Sequence, residues 1–300
     1  MANDTFIPHT KLDGNYKLVW NDEFDSNTLD KNKWSTNSPK MGGRDVLIVE
    51  DTPHTIGVEN GCLRLTAFKD AEGNYRVPNS VHTRDTMNFK YGYVEIKAKL
   101  PLDVGCFASF WTRSVSDSIA SALAPNGVDH FAEVDIFEVF QQDKKQSIAG
   151  NILKNSDIKS KNWYATPMPW AQQIIIPDHD FHTYGYEWTP DTISLYFDGM
   201  KFAHFDIRTS WTSTTTEGRG IPGWDKDVTR FVDNTNTTMQ CFNEAQYLIF
   251  NHHLHISFDG GETGFTASTS VTENTGFSSI DYLIDYCRVY QKEGQELYNK

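Results

Sequence analysis

The chain is short of cysteine, of positive charge and of long apolar runs, and each shortage removes a class of protein. Its 300 residues hold four cysteines, Cys62, Cys106, Cys241 and Cys287, and no two stand in a Cys-x-x-Cys pair. That argues against structural zinc. Cys62 and Cys287 lie in strand-like segments and read as small buried residues, while spacing alone assigns no disulfide. The formal net charge is −13, the wrong sign for nucleic acid or an anionic membrane surface, both of which recruit basic patches. No segment approaches the roughly 18 apolar residues of a membrane-spanning helix. A sustained 3.6-residue apolar period with caps is also missing, so helices are expected to be few and short. No repeat, linker or low-complexity tract divides the chain, so residues 1–300 read as one domain.

What is present is β-sheet. Residues 61–68, 92–100 and 282–290 alternate or run apolar in short pieces bounded by turn residues. Residues 193–197 and 200–205 flank Asp198-Gly199, a pair that suits the two positive φ angles of a type I′ hairpin turn. The 8 Trp, 13 Tyr and 19 Phe suit strands and their core. The remainder have faces that could stack on sugar rings.

One stretch resists a purely structural reading. Glu133-Val134-Asp135-Ile136-Phe137-Glu138 places three carboxylates in six residues of strand-forming sequence. Alternation puts Glu133 and Asp135 on one face. Glu138, at an odd offset, belongs to the other face unless Ile136-Phe137 forms a β-bulge, a feature that recurs beside active sites. Val134 and one of the bulged pair would then face the core. Three like charges on one face cost stability, which suggests chemistry. Glycosidic hydrolysis needs one carboxylate as nucleophile or base and one carboxylic acid for the leaving oxygen, about 5–5.5 Å apart in retaining enzymes. Two glutamates leaning together from a bulged strand could close to that range, with Asp135 between them raising the pKa of the acid.

The Glu-x-Asp-x-x-Glu strand resembles the bulged signature of glycoside hydrolase family 16, the retaining endo-β-glucanases and endo-β-galactanases. Other segments match in the family's order. Trp20-Asn21-Asp22-Glu23-Phe24, with Leu29-Asp30 and Trp34, is similar to its opening. Phe89-Lys90-Tyr91-Gly92-Tyr93-Val94-Glu95, with Lys99-Leu100-Pro101, is similar to its central strand. Phe107 to Trp111 resembles its Phe-Trp strand, and Asp285-Tyr286-Cys287-Arg288-Val289-Tyr290 its closing strand. The resemblance runs from about residue 18 to residue 290. Ala132 stands where a Gly often precedes the first Glu. Asn251-His252-His253-Leu254-His255-Ile256 replaces a strand that often reads Asn-Leu-Ala-Val-Gly-Gly, which puts the usual substrate assignments in doubt.

The resemblance implies an all-β jelly-roll sandwich of two curved antiparallel sheets with a substrate cleft on the concave face. It implies Glu133 as nucleophile, Asp135 as assisting carboxylate and Glu138 as acid/base. Candidate substrate-binding residues are Trp111, beneath the cleaved sugar in the family, with Arg113, Trp163, Trp170, Asn251 and His253. Three turn-rich segments, residues 114–129, 155–179 and 209–238, are expected to wall the groove. Alternation puts only His253 and His255 on one face with Asn251, so groove lining is preferred to a metal cluster. No cofactor is required for catalysis. A structural calcium ion held by Asp285 and Glu23 is implied by the family, with plain surface acids as the alternative.

Three functions stay open: an endo-hydrolase of a β-1,3- or mixed β-1,3/1,4-glucan, an endo-β-galactanase using the same machinery, and a jelly-roll lectin that binds without cleaving. The acidic balance tilts against heavily sulfated chains. The expected partner is a polysaccharide or oligosaccharide, with neither nucleic acid nor membrane, and the expected state is a monomer. Residues 1–20 carry no basic n-region or apolar h-region. Either a signal has been removed or the enzyme stays inside, and cleavage of a polymer favours a secreted or cell-surface protein.

Overall fold

The computed structural model describes residues 8–37, 47–115, 131–142, 145–157, 162–165, 173–207, 229–230, 242, 244–255, 271 and 275–299. These form twenty strands, with no α-helix among the described residues. The first five are β1 (Lys17–Asp22), β2 (Leu47–Glu50), β3 (Ile56–Glu59), β4 (Cys62–Lys69) and β5 (Tyr75–Pro78). Next come β6 (Val81–His82), β7 (Met87–Lys90), β8 (Gly92–Lys99), β9 (Cys106–Ser114) and β10 (Phe131–Gln142). They are followed by β11 (Lys145–Asp157), β12 (Asn162–Ala165), β13 (Gln173–Ile175), β14 (His182–Trp188) and β15 (Thr192–Phe197). The last are β16 (Met200–Asp206), β17 (Thr229–Arg230), β18 (Gln246–Leu254), β19 (Ser279–Gln291) and β20 (Glu296–Asn299).

Eleven strands make one sheet, in the order β17-β16-β15-β14-β8-β19-β4-β5-β2, with β1 on β19 and β3 on β4. Nine make the other, β12-β11-β10-β9-β18-β7-β20, with β13 on β11 and β6 on β18. Pairing is antiparallel except for β16 with β17 and β2 with β5, both at an edge of the larger sheet. The β15–β16 turn has Asp198 at φ 46° and Gly199 at φ 77°, the two left-handed residues that a type I′ turn needs.

Alternation decides what each strand buries, because a large apolar side chain gains roughly 1.5–3 kcal/mol on leaving water. Phe110, Phe137 and Phe250 from the nine-stranded sheet meet Tyr184 and Tyr282 from the eleven-stranded one. Their ring centroids lie 4.9 Å apart for Phe110–Phe250, 4.5 Å for Phe137–Tyr184 and 6.3 Å for Phe250–Tyr282. Cys62, Cys106 and Cys287 are buried and free, and Cys241 lies outside the described residues.

One expectation changes here. Residues 155–179 read as a turn-rich wall, yet β12 and β13 lie within them and both pair with β11. Residues 116–129, 209–228 and 231–238, most of the other two expected walls, lie outside the described residues.

The outer face of the eleven-stranded sheet is covered by the N-terminal segment. The Glu95 carboxylate, fully buried on β8, accepts the backbone N–H groups of His9 and Thr10 and the hydroxyls of Tyr93 and Tyr286. Leu12, Tyr16 and Leu18 pack against Tyr93, Tyr196 and Tyr290. The opposite surface, on the nine-stranded sheet, carries the cleft.

Candidate active site

Three adjacent strands build the cleft floor. On β9 the outward row is Phe107, Ser109, Trp111 and Arg113, and on β18 it includes Asn251 and His253. The register joins the two rows, setting Ser109 opposite Asn251 and Phe107 opposite His253. The intervening residues Ala108, Phe110 and Thr112 are buried against the other sheet.

On the other side of β9, β10 pairs Glu133 with Arg113 and Asp135 with Trp111. The register then slips, and Glu138 stands opposite Ser109. Against β11 the same slip sets Asp135 opposite Asn151 and Glu138 opposite Ala149. One residue, Gly150, thus faces two, Ile136 and Phe137, which is a β-bulge. It restores Glu138 to the face of Glu133 and Asp135. Both bulged side chains are buried beneath the strand, where the sequence led us to expect only one, because a bulge of this kind turns two successive side chains to the same side.

Glu133, Asp135 and Glu138 share a cleft of about 360 Å³ with Phe107, Ser109, Trp111, Arg113, Asn251 and His253. Burial pushes the Glu138 carboxyl up to about 8, with the neighbouring charge of Glu133 adding to the effect. Asp135, only 5% exposed, is raised well above the usual carboxylate range by burial, then by Glu138 and Glu133. The three titrate as an interacting set. Burial also pushes His253 down to about 4, so its imidazole is neutral near pH 7. Trp111 donates its indole N–H to the Asn251 amide oxygen at 2.7 Å, and the Asn251 amide nitrogen donates to Ser80 Oγ at 2.7 Å.

Seven residues singled out from the sequence therefore come together: Glu133, Asp135, Glu138, Trp111, Arg113, Asn251 and His253. Trp163 lies on β12, paired with Asn155 two strands out from β10, and its side chain is outside the described set, as is all of Trp170. Sequence reasoning missed Phe107 and Ser109. Their signal was available, since both alternate with Trp111 along one strand.

The histidines do not converge. His252 is buried on the core side with Nδ1 2.9 Å from the Leu65 carbonyl oxygen, and His255 packs its ring 4.6 Å from Phe107. Among the described residues no group of three or more His, Cys, Asp or Glu is placed to hold a metal ion. The carboxylates proposed for calcium are taken by cations of the chain itself. Arg288 donates to both oxygens of Glu23 at 2.9 and 2.7 Å, and Lys97 lies 2.8 Å from Asp285. An ammonium and a guanidinium on those oxygens do not fit a calcium cage.

Three carboxylates on the cleft floor of a two-sheet β-sandwich are the groups that glycosidic hydrolysis uses. Residues 45–219, more than half of the chain, match the model of glycosyl hydrolases family 16, and the chain belongs to that family. It is 26% identical over 296 residues to Glucan endo-1,3-beta-glucosidase A1 of Niallia circulans, covering 92% of this chain and 38% of that protein. It is 27% identical over 183 residues to a Beta-glucanase of Acetivibrio thermocellus, covering 59% of this chain and 46% of that one. The chain thus spans less than half the length of these two curated relatives. The solved structure of a point mutant of SCLam, a non-specific endo-beta-1,3(4)-glucanase, superposes with a TM-score of 0.62 at 26% identity, covering 94% of this chain and 97% of that one.

Proposed function

We propose that the protein is a retaining endo-hydrolase of a β-1,3- or mixed β-1,3/1,4-linked glucan. The observation that carries this reading is the bulge, which sets Glu133, Asp135 and Glu138 on one cleft-facing side with Glu138 protonated near neutral pH. Glu138 gives its proton to the glycosidic oxygen as Glu133 attacks the anomeric carbon, and the leaving chain departs. Glu138, now a carboxylate, takes a proton from water, and that water releases the sugar from Glu133 with its configuration retained. Burial, with the charge of Glu133 beside it, keeps the proton on Glu138 until the bond breaks, and Asp135 lies between them on the same face. The names of the relatives reported above, an endo-1,3-beta-glucosidase, a Beta-glucanase and an endo-beta-1,3(4)-glucanase, support the substrate class, although a Beta-porphyranase E is also similar to this chain.

Product release on laminarin, barley mixed-linkage glucan, agarose, porphyran, κ-carrageenan and keratan sulfate, with Glu133→Gln alongside, tests this. Cleavage of a glucan with retention, abolished in Glu133→Gln, is the expected result. An active Glu133→Gln protein would overturn the residue assignment. His253 in the cleft, where the family often has a small residue, favours a second reading, a β-galactan substrate. Cleavage of galactans alone would establish it.

A further inference from the structure

Ser80 belongs to no motif and does not line the cleft, yet it is tied to the cleft's aromatic floor. It sits on the crossover from β5, in the eleven-stranded sheet, to β6, in the nine-stranded one, and is 3% exposed. Its own N–H donates to Asn79 Oδ1 at 2.9 Å. Asn79 is fixed in turn, its amide nitrogen donating to the Thr36 carbonyl at 2.8 Å and its backbone N–H to that of Glu50 at 2.9 Å. The hydroxyl oxygen so held accepts from Asn251 Nδ2 at 2.7 Å.

The order of donors along this chain is forced. An indole N–H only donates, so the Asn251 oxygen must face Trp111 and its nitrogen must face Ser80. That nitrogen also lies 3.5 Å from His253 Nε2. Trp111, with Tyr247 and Ile249, forms a small cluster on the outer face of the sheet, separate from the inter-sheet core. Its ring is thus aimed from outside the core, by hydrogen bonds rooted in the crossover.

We infer that Ser80 and Asn251 are positioning residues that fix the Trp111 ring as the sugar platform of the cleft. The inference rests on the glycoside hydrolase reading above and adds a residue to it that the cleft lining does not reveal.

Two measurements on the full chain test it. In ¹⁵N-labelled protein, the indole signal lost in Trp111→Phe is that of Trp111. Ser80→Ala should shift this signal and speed its exchange with solvent while leaving the other indole signals in place. Kinetics on whichever glycan the wild type cleaves give the second readout. Ser80→Ala should raise KM by about five- to tenfold, the worth of one neutral hydrogen bond, with kcat within about twofold. Added to Trp111→Phe, which keeps an aromatic face but has no N–H, Ser80→Ala should cost nothing more. An unmoved Trp111 signal, or the same loss in both backgrounds, would overturn the inference. The indole measurement needs no substrate. A wild type that cleaves nothing would therefore defeat the hydrolase reading while the spectrum still decides the role of Ser80.

Discussion

Phe137, the residue before Glu138, packs its ring 4.5 Å from that of Tyr184 on the opposite sheet. The placement of the acid/base is thereby tied to the inter-sheet core, since Phe137 cannot shift without carrying the bulge along. Phe137→Ala should cost about 3–5 kcal/mol of stability, as for other buried Phe truncations. Phe137→Leu should stay folded at physiological temperature and still lose on the order of tenfold or more in kcat/KM, because small misplacements of catalytic groups are costly. Denaturant unfolding and kinetics on the same preparation check both. A fully active Phe137→Leu would show that the ring does not hold the bulge.

Gly150 is the single β11 residue facing the bulge, and a Cβ there would lie 2.3 Å from Leu195 Cδ1 and 3.2 Å from Phe202 Cε2. Gly150→Ala therefore overpacks the core, with an expected loss of about 1–3 kcal/mol. Leu195→Val in the same chain should return part of it, since the two sites share one space. Melting temperatures of the two single variants and the double variant test the pairing, and strictly additive shifts would speak against it.

The raised Glu138 carboxyl sets a pH dependence of definite sign. The acid must be protonated to act, so kcat/KM should fall as pH rises through about 8. Folding stability moves in the same direction. Between the ordinary carboxylate pKa of 4.5 and about 8 the native state binds more protons than the unfolded one, so stability is full below this window and declines across it. Asp135, raised by the same causes, adds to the slope. Chemical denaturation of wild type and Glu138→Gln between pH 5 and 9 should show a shallower decline in the variant.

The Glu95 carboxylate gathers four donors and faces no cation among them, on the side of the molecule away from the cleft. Glu95→Gln turns one acceptor into a donor pointed at other donors. A loss of about 1–3 kcal/mol is expected, together with faster proteolysis within residues 8–16. Turnover per folded molecule should be unchanged, and a variant as stable as the wild type would mean that water replaces those bonds at no cost.

The parts that could be read from the sequence are those governed by neighbours along the chain. Alternation placed Glu133 with Asp135, the odd offset of Glu138 demanded a bulge, and Asp198-Gly199 marked its turn. The parts that escaped depend on residues far apart. Asn251 reaches Ser80 across 171 positions, and Glu95 reaches Tyr286 across 191, so no local pattern announces either bond. The ion pairs at the residues expected to hold calcium were hidden for a related reason. Asp285 and Glu23 look free in a linear reading, and only folding brings Lys97 and Arg288 onto them. β12 and β13, of four and three residues, are too short for a period-two signal to stand out from turns.

The three described cysteines bear on how the protein tolerates its surroundings. Burial pushes the Cys106 thiol up to about 12 and raises those of Cys62 and Cys287 as well. Thiols kept protonated and covered make poor nucleophiles toward oxidants and alkylating reagents. Nothing in the cohesion of Cys62, Cys106 and Cys287 with their neighbours depends on a sulfur–sulfur bond. Their packing is accordingly indifferent to whether the medium is reducing or oxidising.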